Sequence, residues 1–285
     1  MKQAQPEKMD RAQQTHERLQ RQKRIDETYV ESSWMRLVDA LLVEISLGRA
    51  LPYNSMILLP ELRMTTLLRT LVESFPKQIK LMIVDQSNTR FDMLRAIVPA
   101  HMANAYFSTQ MLSALNYSDN VFDLVLTQLS LTSLSQHMRI FPEYHRVLKP
   151  NASFVFATPI EGTLSPFFDF LSESLLKLAV VNRDSIIGEL RQAMQPQFIR
   201  QMLAGYGFRV ISEDVVSFSM QFPSTEDFLF STLIESFYLA ACLNILPRQE
   251  GKTLLTQVVK SFHHYYQGLG IDADMHMLCV LCEKT

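Results

Sequence analysis

A chain of 285 residues, 47% hydrophobic and 20% charged, suits one large domain, or one domain with insertions, around a well-buried core. Its formal net charge of −2 gives no electrostatic footprint for nucleic acid. No apolar run reaches bilayer-spanning length, the N-terminus is too charged for a secretory leader, and three cysteines make no disulfide framework; together these predict a cytoplasmic protein.

Residues 1–33 read as a charged helical arm. Over 7–31, six acids and six bases alternate with few apolar residues, and Arg21, Lys23 and Arg24 form a short basic cluster. Such a segment is a solvated helix laced with ion pairs, with partner or RNA binding as the alternative. The remainder, 34–285, reads as one domain. It opens on an amphipathic helix that places Trp34, Leu37, Val38, Leu41, Leu42 and Ile45 on one face and ends at Gly48 and Pro52.

Strand and helix signals then alternate. MILL at 56–59 reads as the first strand, followed by Pro60 and a helix-forming stretch that Pro76 ends. Lys80–Asp85 is the second strand, with Gln86-Ser87 and a helix carrying Met93, Leu94 and Ala96 after it; a short strand lies near 105–107. Phe122–Leu126 is an apolar run broken only by Asp123. Leu134, Met138, Phe141, Tyr144, His145 and Leu148 recur at helical steps until Lys149-Pro150-Asn151 stops them. Phe154–Ala157 is a further strand, ending at Pro159. Strand, helix and strand within about forty residues make a βαβ unit, which requires a parallel sheet and a right-handed crossover.

Phe122-Asp123-Leu124-Val125, Glu143 and Arg146-Val147-Leu148-Lys149-Pro150 resemble, in order, the FDLV…E..RVLKPGG segment of class I S-adenosylmethionine (SAM)-dependent methyltransferases. The similarity is to the type 11-like branch that acts on small molecules and carboxylates; Asn151-Ala152 stand in place of the closing glycine pair. The resemblance implies a Rossmann-like α/β fold, a seven-stranded sheet with helices on both faces. To it are added the N-terminal helical arm and helical insertions over residues 163–194 and 224–268.

The resemblance also implies where SAM would sit. In the family the first strand runs into D-x-G-x-G-x-G, whose acid holds the methionine amino group and whose glycines let the backbone approach the cofactor. Aligned on strand and helix, the acid position falls on Leu58 and the glycine positions on Pro60, Leu62 and Met64. Every one is replaced, and no glycine lies between Gly48 and Gly162. Left-handed torsions cost a non-glycine residue about 1 kcal/mol or more each, and the Leu and Met side chains take the volume of the methionine portion. The second strand resembles the family's V-D-x-S and puts Asp85 where a carboxylate accepts from the ribose hydroxyls; from the residues alone, Asp85 reads equally as a cap at a strand end. Met111–Asp119 is similar to the family's D-a-e-x-L-P-F-x-D, with Met111 at the adenine-reading acid and with Tyr117 and Asp119 kept.

Past Pro159, Glu161-Gly162-Thr163 form a turn at the carboxyl edge of the sheet, where open α/β folds bind substrates. Phe167–Val181 reads as an apolar helical lid or partner-facing insertion. Pro196 starts a helix closed by Gly205 and Gly207, and Arg209–Phe218 and Met275–Cys282 read as the last two strands. Between those strands, two helices over roughly 224–246 and 250–267 carry Phe228, Phe230, Phe237, Tyr238, Phe262, Tyr265 and Tyr266, as core or as the lining of an apolar pocket.

Cys279 and Cys282 face opposite ways in a strand, and His263-His264 lack a third ligand, so no metal site is expected. His137 and His145 on the crossover helix approach the sheet edge, but no residue is assignable as catalytic, because methyl transfer is a displacement that chiefly needs alignment. Two functions stay open. The first is a methyltransferase-fold protein with a degraded SAM loop: a pseudo-methyltransferase that binds SAM weakly or not at all and acts as partner, scaffold or regulatory subunit. It would meet a protein partner, or itself, through the apolar helices at 165–181 and 224–246, with the arm projecting away. The second is an active SAM-dependent methyltransferase on a small-molecule or carboxylate acceptor, binding the cofactor in an atypical way.

Overall fold

The computed structural model describes residues 5–49, 51–75, 79–99, 104–180, 182–244 and 246–285. Seven strands form one sheet: β1 (Met56–Pro60), β2 (Lys80–Asp85), β3 (Ala105–Thr109), β4 (Phe122–Gln128), β5 (Leu148–Pro159), β6 (Phe208–Phe222) and β7 (Ile271–Lys284), in the order β3-β2-β1-β4-β5-β7-β6. The first five are parallel, and β7 runs antiparallel between β5 and β6. The central strands are covered on both faces, which is why they read as unbroken apolar runs: Ile57, Leu58, Leu59 and Leu124–Leu126 are all fully buried.

Helices α1 (Gln5–Ile25), α2 (Glu31–Trp34) and α3 (Ala40–Leu47) precede the sheet, linked by π-helical stretches at Asp26–Val30 and Met35–Asp39. Helices α4 (Thr65–Ser74) and α5 (Phe91–Arg95) follow β1 and β2. The β4–β5 crossover, expected as one helix, is split at Gln136 into α6 (Leu131–Ser135) and α7 (His137–Val147). Ser130 starts α6 by accepting the Ser133 N–H at 3.1 Å. Helices α8 (Ser165–Lys177), α9 (Arg183–Ala193) and α10 (Pro196–Gly205) fill the β5–β6 connection. Between β6 and β7 lie α11 (Thr225–Leu229), a π-helical stretch at Leu233–Leu239, α12 (Ala240–Asn244) and α13 (Arg248–Tyr266). After α10, Gly207 has φ +76°, and a β-carbon there would sit 2.8 Å from Nε2 of His145, so only glycine fits this turn.

The residues that carry the family resemblance hold the frame together. Arg146 donates to Glu143 and Asp119 and to the carbonyls of Leu115 and Tyr117, while Glu143 takes the Leu115 N–H at 2.7 Å. Helix α7 is thereby tied to the loop before β4. Asp123, the acid interrupting an apolar strand, accepts from Lys149 at 2.7 Å and from the Met56 N–H at 2.9 Å, joining three strands at their amino ends. Strand β5 starts at Leu148, earlier than expected, and Asn151 takes a left-handed φ of +59°.

The second half of the arm does not project. Ile25, Val30 and Trp34 are buried, and their spacing of five and then four residues is brought to one side by the π-helical stretch, which absorbs the extra residue. Polar contacts fix the docking: Asp26 accepts from the backbone and hydroxyl of Thr232, Gln22 donates to Glu235, and Arg21 lies 4.4 Å above the Phe230 ring. The apolar patch expected on the insertions is also largely absent. Phe167, Phe168, Leu171, Leu233 and Phe237 are buried, Phe170 and Leu239 are half-buried, and Phe230 is 41% exposed. Trp34 and Phe237 pack with ring centroids 5.2 Å apart, so arm and insertion share one core.

Candidate functional site

The site implied by topology is the crevice at the carboxyl ends of β1, β2 and β4. The loop after β1, Pro60-Glu61-Leu62-Arg63-Met64, closes on its own protein. Its Pro60 carbonyl accepts from the Thr127 hydroxyl at 2.7 Å, and the Glu61 N–H donates to the Val84 carbonyl at 2.8 Å. The Leu62 carbonyl faces an Arg90 Nη1 at 3.4 Å, and the Met64 N–H reaches Oε1 of Gln128 at 2.8 Å. Glu61 adopts a left-handed φ of +49°, the torsion a glycine would hold without strain. The loop therefore keeps a glycine-loop turn but commits four of its backbone polar groups to Thr127, Val84, Arg90 and Gln128.

Side chains fill the space above it. Leu62 and Met64 are each 2% exposed and belong to the core. Leu58, fully buried, lies inside β1 between Met82 and Val125, two residues short of the strand's end. The buried Glu61 carboxylate accepts from Arg63 and from the Ser133 hydroxyl. Gln128, at the end of β4, bridges outward: Oε1 holds Met64 and Nε2 donates to Asp39 at 2.6 Å.

Asp39 is the centre of that bridge. Fully buried, it also accepts from the Trp34 indole at 3.1 Å and from the Thr66 hydroxyl. Burial pushes its pKa up to about 7, against three hydrogen bonds that favour the anion. The Arg90 guanidinium lies near Asp26, Asp85, Glu235 and Arg63; burial lowers its pKa, and its Nε has no hydrogen-bond partner among the described residues. None of Asp39, Glu61, Arg63, Arg90 and Gln128 stands out in the sequence.

The other expected positions are scattered. Asp85 stands half-buried at the carboxyl end of β2, its side chain accepting from the Ser87 N–H at 3.3 Å. Met111 is 64% exposed in the turn after β3. His137 meets the Tyr206 hydroxyl at 3.1 Å and His145 packs on Phe208, so both pack α7 against the turn and strand that follow α10. Cys279 and Cys282 are buried, and burial pushes the Cys279 thiol up to about 12. Among the described residues no group of three His, Cys, Asp or Glu is placed to hold a metal.

The sequence profile of the family described as methyltransferase domain matches residues 68–156. No curated protein matches the chain in sequence. Among solved structures, a protein of Bacillus halodurans assigned as a methyltransferase is similar at a TM-score of 0.51 and 15% identity, over 85% of this chain and 98% of that one. One of Galdieria sulphuraria, assigned as a sarcosine dimethylglycine methyltransferase, is similar at 0.51 and 13% identity, over 92% and 90%. The 4+2 cyclase SpnF is similar at 0.50 and 18% identity, over 86% and 80%. At these identities the likeness is one of fold, which alone does not fix chemistry. Residues 68–156 thus match the methyltransferase domain family, and the chain as a whole has a methyltransferase-like fold.

Proposed function

We propose that this methyltransferase-fold protein has lost the ordinary SAM site and acts by binding, as partner, scaffold or regulatory subunit in the cytoplasm. One observation carries the reading: four backbone groups of the loop after β1 are held by Thr127, Val84, Arg90 and Gln128, and the loop is packed with Leu62 and Met64. A ligand would have to break those bonds and displace two core side chains. No described helix is long and apolar enough to cross a membrane. A protein partner, or a second copy, would meet the outer faces of the insertions, where Leu176, Tyr265 and Leu269 are exposed.

Asp85 supports the second reading, an active methyltransferase with atypical cofactor binding, because its carboxylate has capacity to accept from two hydroxyls. Titration calorimetry of SAM into the full chain separates the two. We expect no binding in the micromolar range; a low-micromolar Kd overturns the first reading. In that event Asp85→Ala is expected to abolish the heat while changing stability by no more than about 0.5 kcal/mol.

A further inference from the structure

Away from the β1 loop, a cavity of about 410 Å³ opens between the arm and the two insertions. Small-ligand sites commonly span about 300–1,000 Å³, so the volume is that of a compact ligand. Its floor is Phe167 and Val258, which have almost no exposure, and its walls include Leu229, Leu255 and Phe230. The polar groups lining it are Arg18 and Glu235, joined at 3.2 Å, with the Arg18 side chain 57% exposed. One turn along the same helix, Arg21 holds a second guanidinium 4.4 Å above the ring of Phe230, one of the cavity's walls. Against these two cations stands one carboxylate, and Glu235 is already engaged by Gln22 as well as by Arg18.

An apolar chamber lined by Arg18, with Arg21 stacked on its Phe230 wall, has a definite complement. The body of the ligand must be apolar, since the floor and walls offer it no hydrogen-bonding group. Its head must be anionic: a cation would face Arg18 and Arg21, and a neutral head would leave the strongest donors of the rim unused. We infer that this cavity binds a small carboxylate amphiphile, its aliphatic body against Leu229, Leu255 and Val258 and its carboxylate on Arg18 and Arg21. A planar carboxylate can share the Arg18 fork with Glu235, because that side chain is held from one side only. The inference does not depend on whether the chain binds SAM or transfers a methyl group.

The test uses the full chain without SAM and titrates decanoate, below its micelle threshold, by calorimetry. Decanol and decyltrimethylammonium serve as neutral and cationic controls with the same body. Decanoate is expected to bind at one site, and Arg18→Gln with Arg21→Gln to weaken it about tenfold or more, the loss expected of one charge-assisted hydrogen bond. Leu255→Trp, which fills the chamber from a half-exposed wall, is expected to abolish binding while leaving the circular dichroism spectrum unchanged. If that variant fails to fold, the arginine pair decides alone, since both residues lie at the surface. No binding of decanoate, equal binding of decanol or decyltrimethylammonium, or affinity unchanged in the arginine variant would each overturn the inference.

Discussion

Replacing Asp39 by asparagine tests the buried bridge that joins the arm to the β1 loop. The carboxyl receives Trp34, Thr66 and Gln128, with no cation paired to it among the described residues, and burial raises its pKa from 3.8 to about 7. The folded chain thus holds this proton more tightly than the unfolded chain. Below about pH 3.8 both states are protonated and the group is neutral to stability. As the pH rises toward 7 the unfolded chain ionises first, and stability falls; above about 7 both are ionised and the loss is complete. At about 1.4 kcal/mol per pKa unit, the gap from 3.8 to about 7 amounts to about 4 kcal/mol.

The introduced asparagine cannot ionise, and its shape keeps the bridge. Its Oδ1 accepts from Trp34 and Gln128, and its Nδ2 donates to the Thr66 hydroxyl oxygen, which can serve as acceptor. Urea unfolding of both proteins at pH 4, 6 and 8 is the assay. Near-equal stability is expected at pH 4, with the Asp39→Asn variant ahead by up to about 4 kcal/mol at pH 8. Asp26, which burial lifts to about 6, slopes the same way in both proteins and cancels in the difference. A difference that does not change with pH, or a variant less stable than the parent at pH 8, would show that the network is built around the anion and refute the argument.

Leu62→Ala and Met64→Ala are each expected to cost about 2–5 kcal/mol by chemical denaturation, as for any buried large-to-small change; a cost below about 1 kcal/mol would mean the loop is still loose enough for a cofactor. Arg146→Met leaves Glu143 and two carbonyls without their donor and is expected to lose about 3 kcal/mol, whereas a neutral result would return this residue to the surface. Phe237→Glu places a charge in the core shared with Trp34 and is expected to give insoluble or unfolded protein; a soluble, cooperatively unfolding variant would refute the burial.

The parallel half of the fold is legible because β1, β2 and β4 are sandwiched and so read as apolar runs bounded by Pro60, Asp85 and Gln128. Strands β6 and β7 run longer than expected. Their outer residues, such as Ser212, Asp214 and Val215, face solvent and mix polar with apolar, so composition does not mark where pairing stops. The loss of the glycine loop is legible from Leu62 and Met64. The polar cluster that replaces it is not, because Asp39, Glu61, Arg90 and Gln128 come from four separate elements with no fixed spacing. The docking of the arm is hidden for a related reason: a helical wheel of 3.6 residues splits Ile25 from Val30 and Trp34, and only the π-helical turn reunites them.

Asp26 and Thr232 lie 206 residues apart, and their contact seats the arm. During synthesis at about 5–20 residues per second, the arm leaves the ribosome about 10–40 s before Thr232 is made. For that interval it must travel on the nascent chain without its partner surface. The balanced charges of residues 7–31, six acids and six bases, suit the wait, since they offer little for other chains or for chaperones to hold. Trp34 is the exposed risk, and it sits late in the segment. Docking of the arm is then a late stitch of the fold, closing one of its longest loops only after the sheet's parallel half already stands.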